Sequence, residues 1–137
     1  MVSNKITNTK NILLIDDESD ITFAIKNTLE DNNFKVDTFN DPILALKSYK
    51  ANFYDLILLD IKMQKMDGFQ LYNKLRERDP KVKICFLTAS EFYYEKFRDK
   101  HSEWAKLIDK EYFFQKPIEN KELIKRITAI ISEKNLR

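Results

Sequence analysis

The sequence predicts an α/β fold: a five-stranded parallel sheet, doubly wound, with helices on both faces in a three-layer (βα)5 sandwich. Three observations predict it. Short apolar runs recur along the chain, at Ile12 to Ile15, Leu56 to Leu59, Val82 to Leu87 (interrupted once, by Lys83) and Tyr112 to Phe114. Segments with apolar residues at helical spacing alternate with them. Apolar runs of this length are what strands covered on both faces require. Third, a chemically capable residue stands at the end of each run: the pair Asp16-Asp17, then Asp60, Thr88 and Lys116. In an open parallel sheet these ends share one edge, where such folds bind their ligands.

The elements follow in order. Residues 1–10 form a polar lead-in. Asn11 to Ile15 is the first strand, and a helix follows with Ser19 as N-cap and Ile21, Ala24, Ile25 and Thr28-Leu29 on one face. Asp31-Asn32-Asn33 punctuate, and Phe34 to Phe39 reads as a short strand. Asn40-Asp41-Pro42 starts a second helix, with an Asp cap and proline at the first helical position, carrying Ile43, Leu44, Leu46 and Tyr49. Asp55 to Leu59 is the most continuously apolar strand and belongs at the sheet centre. Asp67-Gly68 turns into a helix bearing Phe69, Leu71, Tyr72 and Leu75, which Asp79-Pro80 stops. Val82 to Thr88 is the fourth strand. A charged, aromatic segment, 90–109, precedes the fifth, and a last helix from near Glu119 displays Leu123, Ile124, Ile127, Ile130 and Ile131. One domain over 11–134 is expected, with a short tail at 135–137 and no second domain.

Composition excludes several classes. With 24 basic and 22 acidic residues the net charge is +2, and the lysines are scattered, so no nucleic-acid partner is expected. No apolar stretch reaches the roughly 18 residues that span a bilayer. The single Cys85 lies inside an apolar run, so no disulfide framework exists and a reducing, cytoplasmic setting is expected.

Asp16, Asp17 and Asp60 pose a physical problem. Carboxylates gathered at one edge resist joint ionisation, and a divalent cation relieves the repulsion. An all-oxygen site with few protein ligands suits magnesium, with manganese as an alternative. One aspartate then has the means to attack phosphorus while metal and lysine neutralise the other oxygens. Each piece has a plainer reading: an acidic pair beginning a helix, a loop carboxylate, a strand threonine, a loop lysine. Their joint placement at successive strand ends favours the chemical one.

The stretches Asp16-Asp17-Glu18, Leu58-Leu59-Asp60-Ile61-Lys62-Met63-Gln64-Lys65-Met66-Asp67-Gly68, Leu87-Thr88-Ala89 and Lys116-Pro117-Ile118 together resemble the receiver domain of two-component response regulators. The resemblance covers the chain from about Asn11 to Glu133 and implies a flavodoxin-like fold. It implies that Asp60 accepts a phosphoryl group from a sensor histidine kinase or histidine phosphotransfer protein. Asp17 and Asp60 would ligate Mg2+ directly, Asp16 through water, and Lys62 through its backbone carbonyl. Thr88 and Lys116 would bind the phosphoryl group, Phe113 would be the switch aromatic, and Lys116–Pro117 would be cis. Signalling would be stand-alone, through a protein partner docked on the helix expected in 90–109, the fifth strand and the last helix. The only catalysis implied is of the domain's own phosphorylation and dephosphorylation, so the protein is not expected to be an enzyme in the ordinary sense.

Some residues depart from the pattern. Gln64 replaces the usual proline, which predicts a looser loop after Asp60, and the segment between Thr88 and Lys116 is longer than usual. Phe92, Tyr93, Tyr94, Phe97 and Trp104 in that segment read either as core over an enlarged helix or as a partner surface. Two other functions compete. A phosphatase of small molecules resembling the haloacid dehalogenases would need an aspartate where Lys62 stands. A module that binds partners constitutively would have no use for the set Asp60, Thr88 and Lys116.

Overall fold

A computed structural model describes residues 9–89 and 110–133. The strands are β1 (Asn11–Ile15), β2 (Lys35–Phe39), β3 (Leu56–Asp60), β4 (Lys83–Thr88) and β5 (Phe113–Gln115). All neighbours pair in parallel in the order β2-β1-β3-β4-β5, which puts β3 at the centre as its apolar run predicts. Among the described residues the helices are α1 (Ser19–Asp31), α2 (Pro42–Lys47), α3 (Gly68–Arg78) and α4 (Asn120–Ser132). The helix expected within 90–109 lies outside the described residues, as do its aromatic residues.

Alternation along the strands sorts side chains into two cores. Leu13, Ile15, Ile57, Leu59, Ile84 and Phe86 face Ala45 of α2 and Leu71, Tyr72 and Leu75 of α3. Ile12, Leu14, Leu56, Leu58, Cys85 and Leu87 face Ile25 and Leu29 of α1 and Leu123, Ile127 and Ile130 of α4. Both faces of the sheet are thus dry, and its polar business is confined to its edges.

Local differences from the sequence reading have physical causes. The N-cap of α1 is Glu18 rather than Ser19, and it makes no side-chain cap bond. The buried face of α1 takes in Thr22 and leaves Ala24 exposed, because the Thr22 hydroxyl is satisfied by the Ser19 carbonyl and the Asn40 amide. In α2 the Asp41 cap and Pro42 start stand as read, but the helix ends at Lys47 and Leu44 is 51% exposed. Tyr49, beyond that end, gives its hydroxyl to Asp79. The Lys116–Pro117 peptide is cis. No helix among the described residues is long and apolar enough to cross a membrane.

Candidate functional site

The order of the strands makes β1 and β3 neighbours, with β2 and β4 on their far sides. The chain therefore reverses direction across the sheet at the β1/β3 boundary, and the crevice beyond their C-terminal ends is where ligands bind in such folds. Asp16 and Asp17 follow β1 directly, and Asp60 is the last residue of β3.

Each functional side chain is set by local bonds. The Asp16 N–H donates to the Phe39 carbonyl (3.2 Å), and its own Oδ1 accepts the Glu18 N–H (3.0 Å). The Asn40 amide donates to the Asp16 carbonyl (2.7 Å), which ties the end of β2 to the end of β1. Asp16 is fully buried, Asp60 almost so, and Asp17 half-buried. Next to Asp60, the Ile61 N–H donates to the Leu87 carbonyl (3.0 Å).

Gly68, the only glycine, explains how the loop closes behind Asp60. A Cβ at 68 would sit 2.4 Å from the Asp60 carbonyl oxygen and 2.8 Å from the Ile61 Cα, so only a residue without a side chain fits. Its N–H donates to the Ile61 carbonyl (2.7 Å), and a reciprocal Asp67–Gln70 capping box then starts α3.

On the other side, the Lys116 N–H donates to the carbonyl of buried Thr88 (2.7 Å), linking the ends of β4 and β5. The Lys116 Nζ reaches back over the sheet edge. It lies 2.8 Å from Asp16 Oδ2, 3.2 Å from Asp60 Oδ1 and 3.5 Å from Glu18 Oε1. Phe113 is 7% exposed and stacks on Phe86, with centroids 5.0 Å apart, so the ring points into the core under the site.

Carboxylate oxygens of Asp16, Asp17 and Asp60 all lie within 4.8 Å of one another. Burial, and then the charge of Asp16, pushes the Asp60 carboxyl up to about 7 despite the opposing pull of Lys116. Burial works to lower the Lys116 ammonium, yet the carboxylates of Asp16 and Asp60 together hold it above its ordinary value. Among the described residues, three clustered carboxylates face the single ammonium of Lys116, which leaves excess negative charge beside the half-exposed Asp17. That donor set fits a hard divalent cation taking oxygen ligands.

The five strand-end residues read from the sequence thus converge on one edge. Lys62 stands two residues past Asp60 in the loop, its side chain exposed. In the loop after Asp60 two adjacent residues reach outward: Gln64 N–H to Asp17 Oδ2 (3.2 Å) and Lys65 Nζ to Asp41 Oδ2 (2.9 Å). Four participants escape a sequence reading: Glu18, Asn40, Gln64 and the close approach at Gly68. Gly68 carries a signal in the sequence as the one glycine of the chain, and Gln64 as the residue where the family pattern has proline; neither signal reveals the contact made.

The family model for the response regulator receiver domain matches residues 12–128. The transcriptional regulatory protein DltR of Streptococcus agalactiae is 32% identical over 116 residues, covering 85% of this chain and 49% of that protein. PhoP of Bacillus subtilis, the alkaline phosphatase synthesis transcriptional regulatory protein, is 31% identical over 126 residues, 89% of this chain and 48% of that one. The chain thus spans about half the length of these curated relatives. Among solved structures, the non-phosphorylated HemR receiver domain of Leptospira biflexa superimposes with a TM-score of 0.79 at 26% identity, covering 94% of this chain and 99% of that one. The response regulator TrrA of Thermotoga maritima, in complex with Mg2+-BeF, gives 0.71 at 30% identity, covering 89% and 99%.

Proposed function

The chain belongs to the response regulator receiver domain family, and from that premise we propose that it is a phosphorylation-controlled switch whose phosphoacceptor is Asp60. The observation that carries the proposal is the placement of Asp60: buried at the end of the central strand, with the Lys116 ammonium 3.2 Å away and two further aspartates beside it. The domain is 11–134, the donor is a phosphohistidine of a kinase or phosphotransfer protein, and the setting is cytoplasmic.

In the transfer, an oxygen of deprotonated Asp60 attacks phosphorus, the P–N bond to the donor imidazole breaks, and that nitrogen leaves with the bonding pair. Asp17, Asp60 and the Lys62 carbonyl would hold Mg2+, or Mn2+ in its place, directly, and Asp16 would hold it through water. When bound, the metal supplies the positive charge that lets a phosphoryl group approach this acidic edge. Lys116, already poised between Asp16 and Asp60, pairs with a phosphoryl oxygen as a compact cation. Thr88 donates its hydroxyl to another, and Phe113 beneath it responds to that movement. The phosphorylated domain then changes its affinity for a protein partner.

Acetyl phosphate with Mg2+ tests this directly. One phosphoryl group per chain is expected, measured by intact mass, with none in Asp60→Asn and none after chelation. Label at full level in Asp60→Asn would overturn the assignment. Continuous turnover of phosphomonoesters would instead favour a phosphatase.

A further inference from the structure

The loop after Asp60 carries the least expected residue of the site. A proline at position 64 would have no N–H to give. Here Gln64 is present and its backbone N–H is aimed at Asp17, 3.2 Å from Oδ2. Asp17 is the most exposed of the three clustered carboxylates, so its side chain has the most rotational freedom to lose when it takes a ligand. The loop itself is fixed independently of Asp17. Lys65 has φ 71° and places its ammonium 2.9 Å from Asp41 Oδ2, whose other oxygen caps α2 through the Ile43 N–H. The Met66 N–H closes back on the Gln64 carbonyl (2.8 Å), and the Gly68 N–H on that of Ile61 (2.7 Å). The donor at 64 is therefore presented by a braced turn.

We infer that the backbone N–H of Gln64 is a positioning group for the divalent cation: it holds one oxygen of Asp17 and leaves the other oriented into the carboxylate cluster. This rests on the reading of Asp16, Asp17 and Asp60 as a cation site and goes beyond it by assigning a role to a residue outside the ligand set. Partners that orient a ligand from behind commonly change metal affinity 10–100-fold when removed. A single solvent-exposed bond puts Gln64 at the low end, about tenfold. The contribution comes from the main chain, so the identity of the side chain is immaterial provided that it is not proline.

Titration with Mn2+ alone, followed by water-proton relaxation, separates the possibilities. Gln64→Ala keeps the N–H and should bind Mn2+ as the parent does; Gln64→Pro should bind about tenfold more weakly. Because proline also restrains the turn, a second measurement is made on the metal-free protein. Exchange of the Gln64 amide hydrogen should speed up several-fold in Asp17→Ala, while the Gly68 amide, bonded to Ile61 instead, keeps its rate. Equal Mn2+ affinity in Gln64→Pro and the parent, or an unchanged Gln64 exchange rate in Asp17→Ala, overturns the inference and leaves the cation site standing. Failure of the parent to bind Mn2+ at all overturns the cation site itself, and the inference with it.

Discussion

Asp79 and Asp60 are both nearly buried, 3% and 4% exposed, at opposite edges of one sheet. Asp79 lies between α3 and β4, at the N-terminal edge. Its Oδ2 accepts from the Tyr49 hydroxyl (2.8 Å) and the Asn52 N–H (3.0 Å). Arg76 donates to the carbonyls of Asp79, Pro80 and Val82, bracing the turn that presents it. Burial, and then Asp79 itself, pushes the Tyr49 phenol well above its ordinary value, so it remains a donor throughout the working range of pH. Asp60, at the other edge, is surrounded by further carboxylates and shares one ammonium with Asp16. A buried carboxylate satisfied by neutral donors ties loops together. One crowded by its own kind holds charge in waiting for a cation.

The largest expected effect tests the first half of that contrast. Asp79→Ala removes the acceptor shared by the half-buried Tyr49 hydroxyl and the Asn52 N–H, and should cost about 2–3 kcal/mol in urea unfolding. Asp79→Asn keeps a carbonyl oxygen for both donors and should lose clearly less. Equal losses would show that charge rather than hydrogen-bond acceptance holds this edge.

Asp60→Asn tests the other half, with the opposite sign. The folded carboxyl titrates near 7, above its ordinary unfolded value near 4. Between those values the folded state keeps a proton that the unfolded state has released, so metal-free stability is fully present below about pH 4 and falls as pH rises toward 7. Asparagine removes that decline. In metal-free buffer Asp60→Asn should therefore exceed the parent by on the order of 1–2 kcal/mol at pH 7.5, with the gap narrowing as pH is lowered to 4. A parent whose stability is flat across that window would show that Asp60 is not strained by its neighbours.

The two aspartates also differ in how far the sequence reveals them. Asp60 ends an uninterrupted apolar strand, and Asp16-Asp17, Thr88 and Lys116 end others, so the parallel topology alone carries them to one edge. Asp79 reads as no more than a helix stop before Pro80. Its partners Tyr49 and Asn52 lie some thirty residues upstream, and nothing in local pattern links them. The same blindness explains the misread ends. Tyr49 looks like a helical residue until Asp79 claims its hydroxyl beyond the end of α2, and Ser19 looks like a cap until the turn at Asp16 puts Glu18 there. Periodicity reports which face is dry; long-range polar partners leave no period.

The smallest expected effect is a coupling near zero. A ligand at ten times its dissociation constant stabilises the folded state by about 1.4 kcal/mol. With Mg2+ fixed at ten times the parent's dissociation constant, the parent should gain that amount. Asp79→Ala should gain the same to within about 0.5 kcal/mol, because its defect shares no partner with the carboxylate cluster. Asp60→Asn should gain far less, having lost an anionic ligand and the repulsion that the cation relieves. The informative result is therefore the double difference at Asp79. If Asp79→Ala loses most of the Mg2+ increment, the braced turn before β4 helps to hold the far end of that strand, where Thr88 sits. The two edges would then be one mechanical unit. If the increment survives, the satisfied carboxylate serves stability and the crowded one serves binding, each without the other.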